Sequence, residues 1–262
     1  MSILDEILAY KRDEAAALSR RRAQLDDAVA AAPPVRPFAD ALRAGDALTV
    51  IAEIKRRSPS KGDLAPDLDA ATTAKSYAVG GASALSVLTD EPSFGGSLAD
   101  LAAARTATDL PALRKDFTVD PIQVVEARGA GADAVLLIVA ALVDDGLLRA
   151  LREQAEALGM AALVEVDDDA GLERAVATGA TVIGITNRDL RSFAEDLSVG
   201  ERLAAGLPDE VTKVAESAIR GPEDAARMAA AGFHAVLVGE HLVRADDPSA
   251  AVAALRVPRS GD

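Results

Sequence analysis

Gly131-Ala-Asp-Ala-Val-Leu-Leu-Ile138 decides the fold, because the chain uses the same design three more times. The other copies are Gly81-Ala-Ser-Ala-Leu-Ser-Val-Leu88, Gly179-Ala-Thr-Val-Ile-Gly-Ile185 and Gly232-Phe-His-Ala-Val-Leu-Val238. In each, an Ala-rich helical stretch ends, a glycine supplies a left-handed cap, and a short apolar strand follows. The glycines stand 50, 48 and 53 residues apart, about two βα units, so a further strand is expected between each pair. Those strands read at 48–55, 110–115, 161–166 and 211–216. Helix-length segments separate the strands at 68–79, 97–106, 121–129, 144–158, 168–178, 198–205, 222–231 and 248–255. Pro121 and Pro222 fall where a first helical turn accepts proline.

Eight strands alternating with eight helices, each strand too apolar for one solvated face, predict a parallel sheet buried on both faces. At this length the sheet is expected to close as an α/β protein of the (β/α)8 TIM-barrel class. The alternative, an open doubly wound sheet, lacks the Gly-rich phosphate loop after its first strand. Gly129-Ala-Gly131-Ala-Asp-Ala134 has the GxGxxA spacing but precedes a strand, the reverse of the dinucleotide-binding order. Residues 1–47 read as an N-terminal helical extension, with Ile3, Leu4, Ile7, Leu8 and Leu18 on one stripe. It is expected as an added helix on one end of the barrel. Residues 48–257 form the barrel, and the whole is one domain.

Composition narrows the chemistry. Of 262 residues half are apolar and only 3% aromatic, so the core must be built from Ala, Val, Leu and Ile. Zero Cys excludes disulfides, thiolate metal sites and thiol nucleophiles, and two His argue against a multi-His metal centre. A net charge of −14 with no basic stripe excludes nucleic acid as a partner. No apolar run nears the ~20 residues of a membrane span, and the amino terminus shows no signal-peptide core. These features predict a cytoplasmic protein without a membrane partner; a monomer is the default. The acidic excess reads as a well-solvated surface, or as adaptation to high salt.

In a closed barrel, chemistry gathers at the carboxyl ends of the strands. The first strand ends Glu53-Ile-Lys55, a spacing of two that puts both side chains on one face. The third ends at Lys115-Asp116, the fifth at Glu165, the seventh at Glu216-Ser217 and the eighth at Gly239-Glu240, while the sixth runs into Thr186-Asn187-Arg188. Only six Lys stand against 22 Arg, and Lys55, Lys61 and Lys115 are three of them. A compact, titratable ammonium retained there points to acid–base work, for which convergent Lys and Glu perturb one another's pKa. Such work is expected to draw a lysine toward neutrality. Ser217-Ala218 and Gly239-Glu240 occupy the loops where this fold binds phosphate through backbone N–H groups, and the loop 56–62 adds Ser58 and basic donors. His234 and His241 fit no ligand spacing, so no metal is expected.

These residues carry a resemblance to the indole-3-glycerol phosphate synthase family. The matching strings are Ile51-Ala-Glu-Ile-Lys-Arg-Arg-Ser-Pro-Ser-Lys-Gly62, Leu85 through Ser97, Leu113-Arg-Lys-Asp-Phe117 with Asp120-Pro-Ile-Gln123, Leu163-Val-Glu165, Gly184 through Leu190, Glu216-Ser217 and Leu237-Val-Gly-Glu240. They run through nearly the whole chain in order. The resemblance implies a lyase of tryptophan biosynthesis that closes 1-(2-carboxyphenylamino)-1-deoxyribulose 5-phosphate to an indole, losing CO2 and water, without a cofactor. It implies Lys115 as the general acid on the ribulose carbonyl oxygen and Glu165 as the proton handler in dehydration. Lys55, paired with Glu53, would hold substrate charge. Glu216 and Ser217 would orient hydroxyls; Ser58, Ala218, Gly239 and Glu240 would hold phosphate; Phe94 would pack on the aromatic ring and Arg188 would face anionic groups.

Two departures from the family pattern stand out. Thr186 occupies the position of the family's strand-six Asn, which leaves Asn187 beside it as an alternative. Ala218 replaces a glycine, and it keeps its N–H available to phosphate if its φ is negative, with weaker phosphate binding expected. The isomerase that acts on phosphoribosylanthranilate pairs a Cys with an Asp, and this chain has no Cys. A catalytically silent barrel would have no need of Glu53, Lys55, Lys115, Glu165 and Glu216 together.

Overall fold

The computed structural model describes residues 3–189 and 194–259, so Leu190 of the strand-six motif lies outside the described residues. The four repeated glycines turn the chain from helix to strand as expected: Gly81, Gly131, Gly179 and Gly232 have φ of +85°, +90°, +82° and +84°. Eight strands follow: β1 (Thr49–Ile54), β2 (Ala84–Leu88), β3 (Ala112–Lys115), β4 (Ala134–Ile138), β5 (Ala161–Val166), β6 (Val182–Thr186), β7 (Thr212–Glu216) and β8 (Ala235–Val238). All pair in parallel and in chain order, and β1 closes on β8 through Thr49 opposite Ala235 and Val50 opposite Val236. This is a TIM barrel.

The extension differs from expectation. It contains three helices, α1 (Ile3–Ser19), α2 (Arg22–Ala31) and α3 (Phe38–Arg43), where one was expected. Tight turns at Arg20 and Arg21 end α1, and Pro33-Pro34 cannot continue α2. Nor does the extension stay at one end. Ile3, Leu4 and Ile7 of α1 reach the barrel mouth. Leu25 of α2 packs with Ile122 and Val125 on the barrel's flank. Phe38 and Leu42 of α3 join the interior cluster containing Ile51, Ala84 and Val214, and Thr49 donates to the Leu42 carbonyl beneath β1 (2.8 Å).

The outer helices are α4 (Ala70–Val79), α5 (Leu98–Ala107), α6 (Pro121–Gly129), α7 (Asp145–Ala157), α8 (Asp169–Ala177), α9 (Leu197–Ala204), α10 (Pro222–Ala230) and α11 (Pro248–Leu255). Six of these eight begin at an Asp whose carboxylate accepts a backbone N–H of the first turn: Asp69, Asp120, Asp144, Asp168, Asp196 and Asp247. Such caps contribute about 1 kcal/mol each. Part of the Asp excess is thus helix capping. The loop after β1 forms a small antiparallel hairpin, Arg57 opposite Asp63 and Ser58 opposite Gly62.

Strand parity positions the site. Ile51, Leu113, Leu163, Val182, Val214 and Leu237 fill the barrel interior, whereas Val50, Ala52, Leu85 and Val164 face the helices. Two residues further along the inward rows stand Glu53, Lys115, Glu165, Gly184, Glu216 and Gly239. The period of two that fills the core with aliphatics therefore brings the charged residues inward at the carboxyl ends.

Candidate active site

The mouth holds a cavity of about 720 Å³. Lys115 Nζ lies 2.7 Å from Glu165 Oε2 and 2.7 Å from Glu216 Oε2, bridging β3, β5 and β7. Lys55 Nζ lies 2.7 Å from Glu53 Oε1, and Ser86 donates to Glu53 Oε2 (3.3 Å). Glu53, Glu165 and Glu216 are all buried. Two glycines make room for them. A Cβ on Gly184 would sit 2.1 Å from Glu216 Oε1, and one on Gly239 would sit 2.3 Å from Glu53 Oε1. The five groups that had to share one rim do share it.

Burial disfavours every charge here, and the outcome depends on partners. For Glu53 burial is outweighed by the Lys55 and Lys115 ammonium groups, which hold its carboxyl below the usual range. Lys115 goes up despite its burial, because Glu165, Glu216 and Glu53 all favour its charged form. This corrects the expectation of a lysine drawn toward neutrality: the acidic side chains packed around one ammonium retain its proton. Glu216 is pushed up to about 8, chiefly by burial and then by the charge of Glu165, which the attraction of Lys115 only partly offsets. Its Oε1 is buried without a hydrogen-bond partner. A neutral Glu216 carboxyl could donate a proton from that atom.

The cavity is also lined by Ser58, Phe94, Thr186, Arg188, Ser217, Ala218, Gly239 and Glu240. The Phe94 and Phe117 rings stand 6.2 Å apart, tilted by 37°. Thr186 faces inward, 3.4 Å from the Ser217 hydroxyl. Asn187, a candidate for substrate binding, is turned away and is not among the lining residues. Its amide donates to the carbonyl of Glu216 (3.1 Å), and its oxygen accepts from Gly200 N–H (2.9 Å), tying β7 to α9. One residue after the inward Thr186, Asn187 must face outward. Ala218 also departs from expectation, since its φ is +63° and that of Ser217 is +64°. Two successive side-chain-bearing residues in the left-handed region cost about 1–2 kcal/mol each.

Several lining residues were not singled out from the sequence. Leu136 and Ile138 of β4 form an apolar wall with Leu88 and Phe117, and inward parity on an all-apolar strand was their signal. Glu195 bridges Arg188 (2.5 Å) and Arg220 (2.9 Å), while Arg188 also donates to Ser60 (3.0 Å). Their charges hold Glu195 below the usual carboxylate range against its partial burial. His234, which fits no ligand spacing, lies at the base of the barrel at the start of β8. Its Nδ1 accepts the Lys213 N–H (3.0 Å), and its pKa is lowered to about 4 by burial and nearby cations. Among the described residues, no group of three or more His, Asp or Glu could hold a metal ion, and no helix is long and apolar enough to cross a membrane.

A closed (β/α)8 barrel with buried ammonium and carboxylate groups at the strand carboxyl ends has the make-up of a barrel enzyme equipped for proton transfer. The family profile described as indole-3-glycerol phosphate synthase matches residues 4–255, and the chain belongs to that family. The indole-3-glycerol phosphate synthase of a Nocardioides species is 54% identical over 258 residues, covering 96% of this chain and 97% of its own length. That of Streptomyces griseus is 50% identical over 257 residues, covering 97% and 95%. Among solved structures, a 3-hexulose-6-phosphate synthase superposes with a TM-score of 0.60 at 19% identity over 80% of this chain and 98% of its own, a likeness of fold.

Proposed function

We propose that the cavity converts 1-(2-carboxyphenylamino)-1-deoxyribulose 5-phosphate to indole-3-glycerol phosphate, CO2 and water, with Lys115 as the proton donor for ring closure. The observation that carries this reading is the Lys115 ammonium held at 2.7 Å by both Glu165 and Glu216. The aromatic carbon bearing the carboxylate attacks the ribulose carbonyl carbon, and the carbonyl oxygen takes a proton from Lys115 Nζ. As the C–C bond forms, that oxygen becomes more basic than the ammonium, so even a lysine with a raised pKa donates. The electron pair of the breaking C–CO2 bond restores the aromatic ring. Dehydration then follows: the new hydroxyl takes a proton from the Lys55 ammonium and leaves as water, the neighbouring carbon loses its proton to Glu165, and exchange with solvent resets both groups.

Lys55, neutralised by Glu53, holds substrate charge and assists proton transfer, and Glu216 with Ser217 orients the hydroxyls. Ser58, Ala218, Gly239 and Glu240 surround the phosphate, Arg188 faces the ring carboxylate, and Phe94 packs on the ring. Thr186 takes one hydroxyl contact. The same reading takes the enzyme as a cytoplasmic monomer, which light scattering of the purified protein tests. Product fluorescence tests the chemistry: wild type forms indole-3-glycerol phosphate, whereas Lys115→Ala and Glu165→Gln lose most of the rate. Equal rates in all three would overturn the assigned roles.

A further inference from the structure

Lys11 is only 2% exposed, although it lies on a helix at the protein's edge. Its place on the apolar stripe, four residues after Ile7, drives it between the carboxyl ends of β2 and β3. There its Nζ lies 2.9 Å from Asp90 Oδ1 and 2.9 Å from Asp116 Oδ1, with Glu14 at 2.9 Å on the outer side. Asp90 and Asp116 are 0% and 2% exposed. Each uses its carboxylate to hold a backbone N–H of a segment bearing an aromatic ring. Asp90 Oδ2 accepts from Ser93 N (2.9 Å) and so caps the helical turn Glu91–Phe94. Asp116 Oδ1 accepts from Phe117 N (2.8 Å). Tyr10 of the same helix also donates to Asp90 Oδ1 (2.7 Å).

We infer that Lys11 is a positioning residue: as the shared counter-ion of Asp90 and Asp116, it sets the Phe94 and Phe117 rings and so shapes the ring-binding half of the pocket. The phosphate half, on β7 and β8, shares none of these contacts. Arg114 and the Thr89 hydroxyl complete the Asp116 carboxylate (3.0 and 2.6 Å), and among the described residues Lys11 is the cation paired with both Asp90 and Asp116. The inference rests on the ring-binding assignment above.

The test separates the two halves of the ligand. Wild type, Lys11→Met, Lys11→Arg and the charge-balanced double variant Lys11→Met/Asp90→Asn are compared as inhibitor constants. One probe is inorganic phosphate; the other is the substrate analogue whose ketone is reduced to an alcohol, which retains ring and phosphate. In Lys11→Met, or in the double variant if the single one does not fold, analogue affinity is expected to fall about tenfold. Phosphate affinity should stay within twofold, and Lys11→Arg should recover most of the loss. Unchanged affinity for both probes, or an equal loss of both, would overturn the inference. If wild type bound the analogue no better than phosphate, the ring-binding assignment itself would fail.

Discussion

Lys115 and Lys11 stand in the same molecule, each between two buried acidic side chains, yet Glu216 beside the first and Asp116 beside the second are shifted in opposite directions. Glu216 beside Lys115 is pushed up to about 8, whereas Asp116 beside Lys11 is pulled down to about 2. Burial raises both, so the difference lies in the partners. Asp116 receives Lys11, Arg114, the Thr89 hydroxyl and the Phe117 N–H, which saturate both oxygens. Glu216 shares one ammonium with Glu165, and its second oxygen is buried against Gly184 without a hydrogen-bond partner. A saturated cluster fixes geometry. An under-satisfied one keeps a proton that can move, which is what a reaction site requires.

The largest effect expected from breaking this contrast is on Lys115. Lys115→Met should lower kcat about 10²–10⁴-fold, the range for losing a general acid and equivalent to about 3–5.5 kcal/mol. Product fluorescence checks the rate, and circular dichroism checks the fold. Asp116→Asn should act on stability instead, costing about 3–5 kcal/mol in urea unfolding because Lys11 and Arg114 lose a buried counter-ion. Glu216→Gln should cost little stability at pH 7, where the carboxyl is already neutral, and should remove the limb near pH 8 from the kcat/KM profile.

The pH dependence of stability sharpens the same comparison. The pKa of Glu216 is higher folded than unfolded, so its contribution is fully present below about 4.5 and is lost as pH rises toward 8. That of Asp116 is lower folded, so its contribution is present above about 3.8 and is lost as pH falls toward 2. Melting temperatures across this range should therefore fall on both sides, the alkaline fall disappearing in Glu216→Gln and the acid one shrinking in Asp116→Asn. Ala218→Gly has the smallest expected effect. Relief of the left-handed backbone, less the added freedom of glycine when unfolded, should stabilise by about 0.5–1 kcal/mol and lower KM. An unchanged KM would show that the added Cβ does not hinder phosphate.

Much of the fold was legible because the repeated glycine-strand design and its alternation with helix-length segments are local patterns that agree with one another, whereas the Asp caps, read as surface charge, came to light only in the structure. Parity also brought Glu53, Lys115, Glu165 and Glu216 inward without further knowledge. What stayed hidden depends on tertiary partners. The positive φ of Ala218 is imposed by the loop and opposes the residue's own preference. The upward shift of Lys115 follows from three acidic side chains meeting in space, and the outward turn of Asn187 from the register of β6. Lys11 had a signal, a lysine on an apolar stripe, but its carboxylate partners lie about eighty and a hundred residues away.

One measurement bears on the central contrast directly: a pH titration of the side-chain carboxyl ¹³C resonances of Glu216 and Asp116 in the ligand-free enzyme. The account predicts that Glu216 titrates near 8 while Asp116 stays ionised down to about 2. Glu216 titrating near 4.5, beside an unchanged Asp116, would contradict the claim that the mouth cluster stores a mobile proton.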